Sequence, residues 1–322
     1  MFKSLYVCLI LFLSISCGNQ SEVTENRKFS NDTKTDGNSS KTESFPKSDK
    51  MINSAVSPLI KNVTEDTDDK GAKLNEDPVS RIHRILAKAN PSYRGQGKLH
   101  QENGEILAGE FPNCGLKDLS PLRGLKLNAL DLSGNPVREI RHLRGMPLNR
   151  LFLANTMVES LVDLVNANLV ELRLNGSPVR SLKGLEGQPL ENLYAVGTRI
   201  GNIEPLKNSQ LRQLWLTESP VSDFSPLAGL PLISLTAHRT LLEDLSFVRE
   251  LPLIQRLHIG ETLVSDLTPL AGLNLTRLVF SPERIERGLE IAKSLSNLNE
   301  IGTKFDDTGR DLTSPDIFWS QF

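Results

Sequence analysis

The sequence is short of cysteine, of aromatic residues and of excess charge of either sign. Its 322 residues include three cysteines and 5% aromatics, and the formal net charge is −2. The positive and negative charges are balanced, and the sequence has no basic stripe. We therefore expect no nucleic-acid partner, because phosphate binding needs clustered lysine and arginine. Removal of Cys8 with a signal peptide and lipidation of Cys17 would leave only Cys114. We therefore expect no disulfide and no metal site built on cysteine.

The N-terminus carries an apolar run, which is too short to span a bilayer comfortably. Lys3 precedes this run at residues 5–13, and Ser14-Ile15-Ser16-Cys17 follows it and resembles the bacterial lipobox. In a lipobox the cysteine is lipidated and becomes the mature N-terminus. The residue three places before Cys17 is Ser14, where leucine is usual. We expect residues 1–17 to be a lipoprotein signal peptide with Cys17 as its anchor; the alternative is an ordinary secretory signal.

Residues 18–76 have the composition of a disordered polar tether. They are rich in Ser, Thr, Asn, Asp, Lys and Glu and have too few apolar residues to offset the entropy of folding. Residues 51–60 are a more apolar island to which the pattern assigns no role. A lipid anchor and a tether predict an extracytoplasmic module in the cell envelope, either periplasmic or at the cell surface.

A unit of about 21 residues recurs about nine times over residues 106–295. Self-similarity at a fixed period predicts a solenoid, in which each unit packs against its neighbours. The clearest copies open at Leu127, Leu148, Leu169, Leu190, Leu211 and Leu232.

The unit at residues 211–231 shows how one repeat is expected to fold. Its alternating leucines predict a short strand with inward side chains. Ser219 follows in the turn, where its hydroxyl can bond backbone groups freed by the chain reversal. Ser225 and Pro226 then predict one 3₁₀ turn, with Ser225 as its cap and Pro226 in the first helical position. The predicted fold class is an α/β solenoid with parallel strands on the concave face and 3₁₀ turns on the convex face.

Both ends of the repeat stack need a cap that covers its leucine faces. Residues 77–105 are the predicted N-terminal cap: Asp77-Pro78 starts a helix and Asn103-Gly104 forms the turn of a hairpin. At the other end, residues 282–295 predict an amphipathic helix, and residues 296–322 form the C-terminal cap. Phe318 and Trp319 are expected to pack over the last repeat.

The repeat motif resembles the leucine-rich repeats of internalins and related bacterial proteins. It stands as Asp-Leu-Ser-Pro-Leu at 118–122, Asp-Phe-Ser-Pro-Leu at 223–227 and Asp-Leu-Thr-Pro-Leu at 266–270. Flanking segments, such as residues 89–93, resemble those that frame the repeat module of certain bacterial serine/threonine kinases. The glycine-rich loop with its strand lysine, the His-Arg-Asp loop and the Asp-Phe-Gly motif of kinases do not occur here, so no kinase activity is carried over.

The outward residues between the second and third strand leucines should form a central ladder across the sheet. In order they are Glu110, Asp131, Phe152, Arg173, Tyr194, Trp215, Thr236, His258 and Val279. Four consecutive positions, from Phe152 to Trp215, are aromatic or arginine, which are the residue types enriched at binding hot spots. We predict a ligand-binding surface here; the alternative is cross-strand packing that only covers the sheet.

His238 and His258 extend the predicted ligand-binding set on neighbouring strands. With no third ligand evident, they are expected to be surface histidines and not a metal site. No nucleophile–base pair, paired acid or phosphate loop is evident, so no catalytic residue, no cofactor and no enzyme activity are predicted. The expected function is protein binding by a monomer through the concave face. The alternatives are glycan or cell-wall binding, an enzyme, and a sensory or regulatory role in a kinase pathway.

Overall fold

The computed structural model describes residues 76–304 and 312–321. The predicted signal peptide, Cys17 and the tether up to residue 75, including residues 51–60, lie outside the described residues. Within the described part of the chain, no helix is long and apolar enough to cross a bilayer.

The N-terminal cap begins with helix α1, Pro78–Ala89. The Asp77 carboxylate accepts a hydrogen bond from the Ser80 backbone N–H at 3.1 Å, and Pro78 occupies the first turn, where a missing N–H costs nothing. The helix ends before Pro91 and buries Ile82 and Leu86. The helix predicted from Asp77-Pro78 is confirmed.

A hairpin connects this cap to the repeats. Strands β1 (Lys98–Glu102) and β2 (Glu105–Glu110) pair antiparallel. Asn103 and Gly104 lie between them with φ angles of 52° and 84°. Two successive left-handed residues match the right-handed twist of a hairpin, which explains why Asn-Gly forms this turn. Strand β2 then pairs parallel with the strand of the next repeat.

The repeats form the rest of one 11-stranded sheet whose strand order is the chain order. From β2 onward all neighbouring strands are parallel. The strands are β3 Ala129–Asp131, β4 Arg150–Phe152, β5 Glu171–Arg173, β6 Asn192–Tyr194, β7 Gln213–Trp215, β8 Ser234–Thr236, β9 Arg256–His258, β10 Arg277–Val279 and β11 Glu300–Gly302. The repeat between Ser234 and its partner Arg256 is one residue longer than the preceding repeat, and its 3₁₀ turn, Ser246–Glu250, is longer than the other 3₁₀ turns.

Most repeats return through one 3₁₀ turn, but the predicted cap of that turn is wrong. For the turn Ser225–Leu227, Ser225 makes no capping hydrogen bond with its side chain. The Asp223 carboxylate instead accepts from the Ser225 backbone N–H at 2.9 Å. The same bond recurs from Ser120, Ser246 and Thr268 to the aspartate two residues earlier. Asp223, and not Ser225, caps the turn because the side chain of an aspartate two residues upstream can accept from this N–H, as in an Asx turn.

The core is a column of leucines closed at the turn by short polar side chains. Leu211, Leu214 and Leu216 are buried, and so are their equivalents in the other repeats. In the turn, hydroxyls bond backbone carbonyls, as Thr240 Oγ1 does to the Ala237 oxygen at 2.8 Å. Cys114 lies at the same repeat position and is buried, as expected for packing.

The C-terminal cap differs from the helix predicted over residues 282–295. That segment divides into the 3₁₀ turn Pro282–Arg284, a backbone bridge from Arg287 to Asp266, and the short helix α2, Leu289–Lys293. A continuous helix is excluded because Gly288 is left-handed, with φ of 83°, and its Cα approaches the Thr268 backbone too closely for a Cβ.

The last helix, α3 (Pro315–Trp319), completes this cap. The Phe318 ring lies 6.0 Å and the Trp319 ring 6.3 Å from the ring of Phe280, which is buried at the last repeat. The predicted packing role of these aromatics is confirmed. The structure thus has the predicted fold class: a solenoid of short parallel strands and 3₁₀ turns, with a helix and hairpin before it and helices after it.

Candidate functional site

The strand register brings the central ladder together in the predicted order. Asp131 partners Phe152, Phe152 partners Arg173, Arg173 partners Tyr194 and Tyr194 partners Trp215. The middle residue of each of these strands is a buried leucine, so the third residue faces outward. Phe152, Arg173, Tyr194 and Trp215 are all half-buried. We call these four side chains the aromatic stripe.

Arg173 is stacked between its two aromatic neighbours. Its guanidinium carbon lies 4.6 Å from the centroid of the Phe152 ring and 5.0 Å from that of the Tyr194 ring. Its Nε donates a hydrogen bond to Glu171 Oε1 at 2.8 Å, and Nη2 lies 2.7 Å from the same oxygen. Two cation–π contacts and an ion pair therefore fix one orientation of the guanidinium, in a side chain that is 32% exposed.

Tyr194 and Trp215 form the other half of the stripe. Their ring centroids are 5.4 Å apart, with 68° between the planes, which is an edge-to-face contact. The Tyr194 hydroxyl donates to Gln213 Oε1 at 3.3 Å. Burial, and secondarily the charge of Glu171, raises the pKa of Tyr194, so its phenol stays protonated at neutral pH. Each side chain of the stripe is thus held by a neighbour on the face.

The residues of the central ladder that follow Trp215 are buried. Thr236, His258 and Val279 are buried, with exposed fractions of 0%, 2% and 0%. Thr236 Oγ1 and His258 Nδ1 lie within hydrogen-bond distance, at 3.2 Å. Burial lowers the pKa of His258 to about 3, and the charges of Arg277 and Arg256 act in the same direction. The predicted surface position of His258 is wrong.

His238 is also buried, and its predicted surface position is wrong as well. Its Nε2 lies 3.3 Å from Glu261 Oε1, and its ring packs against Gly260, where an added Cβ would lie 2.8 Å from Nδ1. Burial lowers the pKa of His238, although Glu261 opposes this effect. In the part of the chain that the structure describes, no group of three His, Cys, Asp or Glu side chains could hold a metal ion.

The sequence places Glu171 and Gln213 on a ladder beside the stripe, but their contacts with the stripe were not predicted. Glu171 and Gln213 each lie two residues before a stripe residue on the same strand, and this spacing places both side chains on one face. That spacing was a usable signal for the Glu171–Arg173 pair. The charged cluster of Glu218, Arg239 and Glu261 was also missed: Arg239 Nη1 lies 2.9 Å from Glu218 and Nε 2.8 Å from Glu261.

The solenoid is similar in fold to solved structures of bacterial internalins. No protein-family model matches the chain, and no curated protein matches it. Among solved structures, it is similar to an internalin from Listeria monocytogenes, with 25% identity and a TM-score of 0.54 over 59% of this chain. The alignment spans 58% of that internalin. An internalin C2 from the same organism shares 23% identity, with a TM-score of 0.55 over 64% of this chain and 93% of that one.

The neighbours and the geometry agree on the type of repeat. Short parallel strands and a polar residue in the turn recur from copy to copy, and most copies return through a 3₁₀ turn. Such a fold favours a protein-binding module, since stacked repeats form an extended surface whose outward side chains vary from repeat to repeat. The chain is a solenoid of internalin-like leucine-rich repeats.

Proposed function

We propose that this chain binds another protein through its concave face, with the aromatic stripe as the anchor. The observation that carries the proposal is the stacking of Arg173 between Phe152 and Tyr194, continued by the contact of Tyr194 with Trp215. Aromatic and arginine side chains dominate binding energy in protein interfaces. Here they form one continuous, partly exposed surface across four strands.

The stripe is also ordered before a partner arrives. Ion pairing to Glu171 and the hydrogen bond to Gln213 hold two of its side chains in place. Side chains that are already ordered lose less rotamer entropy on binding, which increases affinity without adding contacts. This supports a binding role over simple coverage of the sheet, because coverage does not require rings to remain half-exposed.

The proposed location is the extracytoplasmic side of a membrane in the cell envelope. Its support comes from the sequence: an apolar segment at residues 5–13, the lipobox-like residues ending in Cys17, and the polar residues 18–76. Lipid on Cys17 would hold the repeats near a membrane.

Recognition of a glycan is the second candidate, and the amide side chains beside the stripe favour it. Asn175 Oδ1 accepts from the Val196 backbone N–H at 3.0 Å, which fixes the direction of its NH₂ group. Gln213 is similarly fixed by Tyr194. Oriented amides beside aromatic rings can bind sugar hydroxyls, so the experiment must separate the two ligand classes.

A photo-reactive residue placed at Tyr194 would test the proposal in cells. We expect a crosslinked protein at this position and none from the same residue at Val162, which is exposed on a 3₁₀ turn of the convex side. Capture should be lost with Trp215→Ala and should persist with added sugars. Competition by sugars, or equal capture at both positions, would contradict protein binding at the stripe.

The anchor is tested separately by metabolic labelling with radioactive palmitate. Label should enter the unaltered chain and be lost in Cys17→Ala, whereas Cys8→Ala serves as the matched control because Cys8 lies within the predicted signal peptide. Release of the unaltered chain in soluble, unlabelled form would contradict the anchor.

A further inference from the structure

Arginine is concentrated on the central strands of the concave face. On the seven strands β4 to β10, the first and third residues face outward and include four arginines but one carboxylate, that of Glu171. The arginines are Arg150, Arg173, Arg256 and Arg277. Carboxylates lie at the two ends of the same sheet, at Glu110, Asp131 and Glu300. Positive charge is therefore concentrated on strands β4 to β10, which include the strands that carry the aromatic stripe.

Two of these arginines are not neutralised. Arg173 pairs with Glu171, and Arg277 pairs with Glu300, whose Oε2 lies 2.5 Å from Nη2. Arg150 and Arg256 form no ion pair among residues 76–304 and 312–321. Arg150 is exposed and Arg256 half-buried, so both can reach a ligand.

Their positions frame the stripe on one side. Arg150 stands at the start of β4, which also carries Phe152, and Arg256 stands at the start of β9. Five strand spacings separate them, or about 24 Å. The opposite flank of the stripe, at Ala154, Asn175, Val196 and Thr217, carries no charge. A ligand that satisfies both arginines while covering the rings must span several strands.

We propose that the partner is an acidic protein segment, with an aromatic or aliphatic side chain against Tyr194 and Trp215 and carboxylates on Arg150 and Arg256. The inference rests on the proposed function and names the chemistry of its partner. About 24 Å corresponds to roughly seven residues of extended chain, so one segment can make all these contacts. Two unpaired arginines so far apart suit separate carboxylates and not a continuous polyphosphate, which needs a dense row of cations.

Synthetic peptides of ten residues test this chemistry on the full chain. The acidic probe has a central Trp-Leu pair flanked by glutamates, and the control probe has lysines in place of the glutamates. With both peptides fluorescein-labelled, anisotropy at low salt should show binding of the acidic probe at least about 10-fold tighter, with the difference shrinking as salt rises. Equal affinity of the two probes would overturn the proposal.

Charge-reversal variants locate the effect. Arg150→Glu combined with Arg256→Glu should abolish the preference for the acidic probe. Arg123→Glu with Arg138→Glu is the matched control: it makes the same charge change at exposed arginines that lie off strands β4 to β10. If the control pair weakens binding equally, the preference reflects the total charge of the chain and the proposal fails.

Two further outcomes separate this inference from the function on which it rests. Cellular capture at Tyr194 that depends on Trp215 but survives the double reversal of Arg150 and Arg256 would retain protein binding and reject the acidic partner. Binding of the acidic probe that survives Trp215→Ala and is displaced by polyphosphate would instead identify a non-specific polyanion site, and would reject the acidic segment as the partner. Loss of capture in both variants supports the proposal.

Discussion

Strands β4 to β7 and strands β8 to β10 place the same repeat position in two different environments. In the first group, the third strand residue is half-exposed and large, and its neighbours hold it by stacking. In the second group the equivalent residues, Thr236, His258 and Val279, are buried. The leucines beneath both groups are equally buried, so the scaffold does not cause the difference.

The two groups differ in side-chain size and in what lies over them. His238 packs against Gly260, and an added Cβ at Gly260 would come within 3.0 Å of the Thr303 carbonyl oxygen. Thr217, His238 and Gly260 form a ladder two residues beyond the central ladder, and the chain that leaves β11 lies against this ladder at Gly260. Repeat position determines the direction of a side chain, whereas accessibility depends on residues outside the repeat. At the third strand position, binding is therefore assigned to the open strands β4 to β7 and stability to the covered strands β8 to β10.

The largest expected effect is on the affinity for the partner. It distinguishes the open half, strands β4 to β7, from the covered half, strands β8 to β10. Trp215→Ala should weaken binding of the protein captured at Tyr194 by about 100-fold, because a half-exposed aromatic at the centre of an interface is a typical hot spot. Thr236→Ala, at the next position of the same ladder, should change affinity less than about twofold because Thr236 is inaccessible. Titration calorimetry with both variants measures this; equal losses would abolish the distinction.

The next prediction concerns stability, and here the larger effect is expected in the covered half. Gly260→Val should lower the free energy of unfolding by about 2 kcal/mol, because the new side chain would meet the His238 ring and the Thr303 backbone. Thr217→Val, on the same ladder in the open half, should change it by less than about 0.5 kcal/mol. Urea unfolding followed by circular dichroism checks both values. A tolerated valine at Gly260 would show that the covered half is loosely packed.

Acid should destabilise the covered half through His258. The pKa of this histidine is about 3 in the folded chain and about 6.5 when unfolded, so below pH 6.5 the unfolded chain binds the additional proton. Stability is complete above pH 6.5 and falls as pH decreases toward 3. At pH 5 the loss is about 2 kcal/mol, which His258→Gln should remove.

Urea unfolding at pH 7 and pH 5 tests this prediction. His142→Gln is the control, because His142 lies in a 3₁₀ turn on the convex side, with its side chain only partly buried. An equal response to acid in the wild-type chain and in His258→Gln would mean that His258 is accessible to protons in the folded state.

The scaffold could be predicted from the sequence because the same pattern of leucines and turn residues recurs in each repeat. Leucine spacing determined the strands, and the order of the central ladder followed from the 21-residue period without knowledge of any contact. The prediction of a continuous helix over residues 282–295 was wrong because it rested on the apolar pattern and did not consider Gly288. The left-handed backbone of Gly288 packs against the preceding 3₁₀ turn.

The site was predicted less completely than the fold. Position in the period identified Phe152, Arg173, Tyr194 and Trp215 as neighbours, and the register agrees. Burial of His238 and His258 was not predictable from the same rule, since it depends on non-repeating contacts such as that of Gly260 with Thr303. Long-range contacts of this kind have no periodic signal in the sequence.

The smallest expected effect is on the pKa of Tyr194 in the open half. Glu171 contributes to the raised pKa of Tyr194, after burial, so Glu171→Gln should lower that pKa. It should also lower the free energy of unfolding by less than about 1 kcal/mol, because the Arg173–Glu171 pair is only partly buried. Titration of ¹³Cζ-labelled tyrosine by NMR, with Tyr194→Phe for assignment, measures the pKa directly.

Glu159→Gln is the matched control for this titration, since Glu159 is exposed in a loop and pairs with Arg180, away from the stripe. The pKa of Tyr194 should be unchanged in this variant. If Glu171→Gln also left it unchanged, the carboxylate would not be electrostatically coupled to the stripe. Arg173 would then be positioned by the two rings alone, and its positive charge would be more available to an acidic partner, which predicts tighter and more salt-dependent binding of the acidic peptide.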